Sequence, residues 1–187
     1  MSSGQLRIIA GAQRGRRIAV PPGAGVRPTA DRAREALFSI LGPAVSQARV
    51  LDAYAGTGAL GFEALSRGAA RALFIEVDRQ ACAALAANAA ALGLAERCTV
   101  RQGRVLDLLA SGAVAGPFDL LLADPPYDSG EGLPFLAAAA GLVTRSGLIV
   151  LEREACRGSG GTELPGLEQL RTACYGRCCL DFFRRRA

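Results

Sequence analysis

An α/β fold, a mostly parallel sheet with helices on both faces and a small β-ribbon and helix in front of it, is predicted by three features. From Arg49 onward, strand-like apolar runs alternate with helical runs, the pattern of a parallel sheet covered on both sides. One of those strands runs into a glycine-rich turn and a helix start, Val50-Leu51-Asp52-Ala53-Tyr54-Ala55-Gly56-Thr57-Gly58-Ala59-Leu60-Gly61. Another, Phe118 to Ala123, stops at Asp124-Pro125-Pro126-Tyr127.

The 187 residues suffice for one well-buried core with an appendage, which we divide into residues 1–44 and a core of 45–187. In the appendage, Leu6 to Ala10 and Arg16 to Val20 are short β-like runs around Gly11-Ala12-Gln13-Arg14-Gly15, a small hairpin. Pro21 to Gly25 breaks regular structure, and after Pro28 Thr29 is placed to cap a helix with Ala33, Leu37, Ile40 and Leu41 on one face. Gly42-Pro43 ends that helix. In the core, strands are expected at about 49–53, 71–76, 97–102, 118–123 and 147–152, with helices at about 58–67, 79–92, 104–111 and 131–141. Asp78 is read as a helix cap, and Arg157 to Gly166 as a loop. Leu167 to Tyr175 and Cys178 to Phe183 form a closing antiparallel pair.

Composition narrows the functional classes. Half the residues are hydrophobic and 5% are aromatic, a globular balance. No apolar run reaches the roughly 20 residues of a membrane span, and Met1 to Gln5 lacks the zones of a signal peptide, so a cytoplasmic protein is expected. The six cysteines are scattered and histidine is absent, so they are read as packing or incidental thiols and no metal site is assigned. The net charge of +5 rests on arginine alone. Arg7, Arg14, Arg16, Arg17, Arg27, Arg32 and Arg34 oppose only Asp31 before Glu35, a basic N-terminal face that suits a phosphate backbone or simply solvent.

The glycine turn implies a nucleotide-like ligand, because glycines allow close main-chain approach and a helix N-terminus offers free N–H groups. Gly56, Gly58 and Gly61 spell G-x-G-x-x-G, and Glu76 lies 20 residues beyond the first, as a ribose-binding acid would. A nicotinamide cofactor would fit that much. Asp52, at the mouth of the sheet, repels a pyrophosphate and favours a cationic ligand. S-adenosylmethionine, with its sulfonium and ammonium groups, answers that description. Asp52, Tyr54, Ala55, Gly56, Thr57, Gly58 and Glu76 are therefore the cofactor candidates, and the bland alternative for Asp52 is an acid that caps the turn.

Asp124, Pro125, Pro126 and Tyr127 are the catalytic candidates. They place a carboxylate, a rigid bend and an aromatic at the carboxyl edge of the sheet, where open α/β folds bind ligands. Prolines lack N–H donors, so the expected notch is rich in acceptors. Such a notch suits an exocyclic amine whose two hydrogens go to the Asp124 side chain and the Pro125 carbonyl while its base stacks on Tyr127. Its nitrogen lone pair is then aimed at a methyl donor, and positioning with electrostatic stabilisation carries the reaction.

At these residues the chain resembles the RsmD family of bacterial 16S ribosomal RNA guanine-N2 methyltransferases. The resemblance runs from about Leu6 to Tyr127, through Arg7-Ile8-Ile9-Ala10-Gly11, Arg14-Gly15-Arg16-Arg17, Arg27-Pro28-Thr29-Ala30-Asp31-Arg32, the glycine turn and Glu63-Ala64-Leu65-Ser66-Arg67-Gly68. It implies a class I, Rossmann-like methyltransferase with a seven-stranded sheet, S-adenosylmethionine as donor and the N2 amine of a guanine in the small ribosomal subunit as acceptor. It also implies Arg27, Thr29 and Asp31 near the methionine end of the cofactor and Arg7, Arg14, Arg16 and Arg17 against RNA. Two departures stand out. The acid usual at the adenine position is replaced by Arg101-Gln102-Gly103-Arg104, where Gly103, Arg104 or Gln102 would have to serve, and Gln13 stands where the ribbon commonly carries an aromatic. Guanine against adenine does not follow from Asp124-Pro125-Pro126-Tyr127. An adenine-N6 methyltransferase and a non-catalytic RNA-binding module are the alternatives, and a monomer is expected.

Overall fold

The computed structural model describes residues 6–20, 28–155 and 164–186, with the backbone alone for residues 28–30 and 127. Its first elements are a ribbon of β1 (Leu6–Arg7) and β2 (Arg17–Ile18) and a helix α1 (Pro28–Leu41). A β/α alternation follows: β3 (Arg49–Ala53), α2 (Ala59–Ser66), β4 (Arg71–Glu76), α3 (Arg79–Leu92), β5 (Cys98–Gln102), α4 (Val105–Ala110), β6 (Phe118–Ala123), α5 (Gly132–Ala139) and β7 (Val143–Glu154). The hairpin β8 (Leu167–Tyr175) and β9 (Cys178–Arg185) closes the fold.

The main sheet has seven strands in the order β5-β4-β3-β6-β7-β9-β8, parallel except that β9 runs against both neighbours. This is the Rossmann-like architecture of class I methyltransferases. Along β6, side chains alternate between two apolar layers, Leu120 and Leu122 into one, Leu121 and Ala123 into the other. Burial on both faces is why this strand reads as an unbroken apolar run. The first layer takes in Phe62 of α2, Leu85 of α3, Leu37 and Phe38 of α1 and Leu6, Ile8 and Ile18 from the ribbon. The second takes in Val105 of α4 and Phe135 and Leu136 of α5.

Several expectations are corrected. Helix α1 begins at Pro28, so Thr29 lies inside the first turn and is not its cap; proline's fixed φ suits the first helical position. The ribbon strands are shorter than the sequence runs, because the amides of Ile9 and Ala10 turn to a side chain on α2. Strand β7 is longer than expected, since its far half continues along β9. Cys174 and Cys179 face each other across the hairpin and form a disulfide, a pairing that their spacing in the sequence did not disclose. Asp78 does cap α3, accepting from the Ala81 N–H at 2.7 Å. The predicted break at Pro21–Gly25, Arg27 and most of the 157–166 loop lie outside the described residues.

Candidate active site

The chain leaves β3 for β4 and β5 on one side, then returns to lay β6 and β7 on the other. This order reversal opens a crevice at the carboxyl ends of β3 and β6, the general ligand position in open α/β sheets. Ala53 is the register partner of Ala123, so the glycine turn and Asp124 leave neighbouring strands at the same level, about 5 Å apart.

Backbone strain and side-chain anchors shape the cofactor side. Tyr54 is held at φ 61°, and Gly56 and Gly58 also have positive φ before α2 begins. Tyr54 packs edge-on against Phe135, ring centres 6.0 Å apart. Burial, with Glu131 nearby, pushes its phenol pKa well above the ordinary tyrosine value. Glu76 gathers the strand ends: its carboxylate accepts from the Gly56 N–H at 2.7 Å and the Asp78 N–H at 2.8 Å, while its carbonyl accepts from the Gly103 N–H at 2.9 Å. It is only half-buried, and each carboxylate oxygen keeps a lone pair for another donor.

Asp52 sits differently from its expected place facing a ligand. It is 2% exposed and accepts from the Gly61 N–H at 2.8 Å, which makes it the anchor of the turn and of the first turn of α2. Gly61 must be glycine, because a Cβ would stand 2.3 Å from Phe74 and 2.9 Å from the Asp52 carboxylate. Burial pushes the Asp52 pKa up to about 8, partly offset by the Gly61 N–H and reinforced by the negative charges of Asp124 and Glu76. Glu76 and Asp124 are the acids that face the crevice, with Asp52 buried behind them. Arg104, at the start of α4, pairs with Glu131 at 3.1 Å and so spans from the β5 end to the start of α5. Ala55 and Thr57 complete the loop, Ala55 donating its N–H to the Ile75 carbonyl.

On the β6 side Asp124 is exposed and Pro125 buried beneath it. The acceptor-rich notch is smaller than expected: the Pro126 carbonyl is taken by the N–H of Ser129 at 2.9 Å and its hydroxyl at 2.7 Å, because residues 127–129 form a 3-10 turn. The Pro126 carbonyl is thereby withdrawn from the acceptors expected at this edge. The Tyr127 side chain, with its proposed stacking, lies outside the described residues, as do Arg27 and the Thr29 side chain. Beyond Pro125 and Pro126 a cavity of about 1080 Å³ opens toward Leu133, Arg171 and the hairpin.

Of the arginines expected against RNA, Arg7, Arg14 and Arg17 are exposed on the ribbon. The Arg16 guanidinium instead reaches the carbonyls of Ala91 and Leu92, where a cation complements the carboxyl end of α3. Sequence reading missed Glu131 and the buried polar groups Glu63, Ser66 and Asn88 that hold the ribbon. An acid inside the apolar run Phe62-Glu63-Ala64-Leu65 was the available signal. Among the described residues no cluster of three His, Cys, Asp or Glu groups could hold a metal, and no helix is long and apolar enough to cross a membrane.

The chain is 44% identical over 128 residues to the ribosomal RNA small subunit methyltransferase D of Escherichia coli K12, an alignment covering 68% of this chain and 63% of that protein. In that alignment the chain spans less than two thirds of its relative. It is 30% identical to the putative rRNA methyltransferase YlbH of Bacillus subtilis over 97% of this chain and all of that one. Among solved structures, a putative methyltransferase from Escherichia coli superposes with a TM-score of 0.86 at 35% identity, covering 98% of this chain and 99% of that one. A putative methylase from Haemophilus influenzae gives 0.80 at 29% identity, covering 98% and 100%. The family profile named conserved hypothetical protein 95 spans residues 6–184, and with it the turn, the acid at the β4 end and the Asp-Pro-Pro-Tyr edge; the chain belongs to that family, the RsmD family.

Proposed function

We propose that this chain transfers a methyl group from S-adenosylmethionine to the exocyclic N2 amine of a guanine in 16S ribosomal RNA of the small subunit. Residues 1–44 would serve as an RNA- and cofactor-contacting appendage on the core of 45–187. The observation that carries the reading is the pairing of Ala53 with Ala123, which sets the glycine turn beside Asp124. The names of the Escherichia coli and Bacillus subtilis relatives support an rRNA substrate.

The chain's own residues fit the donor. Glu76 and Asp124 make the crevice negative, which suits a sulfonium and an ammonium and opposes a pyrophosphate, while Asp52 is buried behind them and holds the turn. Glu76 would hold the ribose hydroxyls, and Tyr54, Ala55, Gly56, Thr57 and Gly58 the main-chain contacts, with Gly103 and Arg104 at the far end. When bound, S-adenosylmethionine supplies an electrophilic methyl carbon. Asp124 and the Pro125 carbonyl would take the two amine hydrogens, fixing the nitrogen lone pair toward that carbon. As the nitrogen gains positive charge, the Asp124 carboxylate stabilises it and then accepts its proton, directly or through water. No histidine is required. Arg7, Arg14 and Arg17 would meet phosphates on the ribbon face.

The test is tritiated methyl transfer to small subunits that lack the modification, followed by nucleoside mass spectrometry. N2-methylguanosine is the expected product, abolished in Asp124→Ala while S-adenosylmethionine still binds. N6-methyladenosine would replace the guanine reading by the adenine one. Cofactor binding without any product would overturn the enzymatic reading.

A further inference from the structure

Glu63 lies on α2 with its side chain 0% exposed, yet it is charged and fully engaged. Its two oxygens accept from the main-chain N–H groups of Ile9 at 2.8 Å and Ala10 at 3.0 Å, both in the ribbon. One oxygen also accepts from Arg67 Nε at 2.7 Å, and Arg34 of α1 brings its Nε to 4.0 Å. Arg34, itself buried, donates to the Arg7 carbonyl at 2.8 Å and to Asp31 at 3.0 Å. Its Nε has no hydrogen-bond partner. One buried carboxylate therefore joins the ribbon, α1 and α2.

A buried ion cluster is a poor source of stability, because desolvation cancels most of its attraction. What it supplies is a defined geometry, since a carboxylate takes two N–H donors from only a narrow range of positions. The other end of α2 is the glycine turn. Glu63 lies five residues from Gly58, about 7.5 Å along the helix axis. Between them, the Asp52 bond to Gly61 prevents the helix from shifting. The helix is a short rail with the cofactor turn at one end and the ribbon at the other.

We propose that Glu63 is a positioning residue that sets the basic ribbon relative to the cofactor turn, so that RNA held on the ribbon arrives at the Asp124 edge in register. This rests on the reading of the chain as an RNA methyltransferase. Glu63 touches neither substrate nor donor. A glutamine in its place keeps one acceptor but turns an amide donor toward one ribbon N–H, so the ribbon loosens while the turn is untouched.

The experiment measures three quantities in the full chain carrying Glu63→Gln, Glu63→Asp or Ser66→Ala: amide exchange at Ile9 and Ala10, equilibrium binding to unmodified small subunits, and S-adenosylmethionine binding. Glu63→Gln should speed exchange at both amides and weaken subunit binding about tenfold, the cost of one buried donor left unpaired, with S-adenosylmethionine affinity unchanged. Glu63→Asp should recover part of the loss. Ser66→Ala, which removes the acceptor for the Gln13 N–H, should weaken subunit binding in the same sense and serves if Glu63→Gln fails to fold. Faster exchange with unaltered subunit binding would overturn the proposal. So would a joint fall of subunit and cofactor affinity in every variant, the mark of a purely structural role. Wild-type chain that binds subunits but methylates nothing would count against the enzymatic reading alone, because the binding and exchange measurements need no turnover.

Discussion

The ribbon and the C-terminal hairpin are both two-stranded appendages, yet they are fastened by different chemistry. The hairpin joins the sheet as sheet: β9 pairs with β7 along six register partners from Ile149–Phe183 to Glu154–Cys178, and β8 follows β9 along its length. The ribbon pairs with no strand of the main sheet. Apart from its own ladder and turn and one main-chain bond from the Ala12 N–H to the Ser66 carbonyl, its backbone is met by side chains of the core: Glu63 for Ile9 and Ala10, Ser66 for Gln13, and Asn88 for both the N–H and the carbonyl of Ala19. Buried acids illustrate the contrast. Asp181 in β9 pairs with Arg153 at 2.6 Å inside a ladder that already fixes the register. Glu63 is part of the attachment itself, together with Ser66 and Asn88. A side chain that stands in for a strand holds segments that no ladder joins, and a side chain inside a ladder only adds to bonds already made.

That difference can be broken or sharpened experimentally. The largest effect is expected from Gly11→Ala, because the new Cβ would stand 1.9 Å from the Ser66 carbonyl oxygen, and φ is +84°. The oxygen belongs to the α2 main chain and the Cβ is fixed rigidly to the ribbon main chain, so neither can turn aside and the ribbon must move away from α2. We expect a loss of about 3 kcal/mol or more in urea unfolding, together with impaired subunit binding. The matching change at the hairpin turn, Gly176→Ala, meets nothing within 4 Å and suffers only from its φ of +62°. Its expected cost is about 1 kcal/mol. Equal costs at the two turns would break the comparison.

Next comes Asn88→Ala, which leaves the Ala19 N–H and carbonyl without their partner. About 1–3 kcal/mol should be lost, with faster exchange at the Ala19 amide. The rail beneath the ribbon adds a pH dependence. Asp52 has a folded pKa of about 8 against 3.8 as an ordinary carboxyl. Between about pH 4 and about pH 8 the folded chain holds a proton that the unfolded chain has released, so this group's contribution to stability falls as pH rises, then levels off. Asp52→Asn keeps an acceptor for Gly61 and cannot titrate. Its stability relative to the wild type should therefore climb across that window, as followed by urea unfolding at successive pH values. A constant difference would refute the assignment. The smallest effect is expected from Arg184→Ala, which removes a 2.8 Å pair with Glu168 between two half-exposed side chains of the hairpin. Less than about 1 kcal/mol should change, and high salt should erase it.

Local pattern made much of this protein readable in advance. The runs at 71–76, 79–92 and 118–123 coincide with β4, α3 and β6 because each has a strong period and a sharp stop. Asp78 announced itself as a cap, and Asp124-Pro125-Pro126-Tyr127 as an edge, since caps and proline bends act over a few residues. The ends of β7 were not legible, because a strand's length depends on how far its neighbour accompanies it.

By itself the sequence determined the alternation of strands and helices, the glycine turn, the acid at the end of β4 and the proline edge, all of them consequences of contacts within a few residues. Only the tertiary structure decided that Asp52 is buried against Gly61, that the Pro126 carbonyl is taken by Ser129, that Arg16 serves α3 and that Glu63 reaches 54 residues back to Ile9. Hydrogen bonds between distant segments leave no periodic trace. A buried acid and an exposed one are the same letter until the chain has folded around one of them.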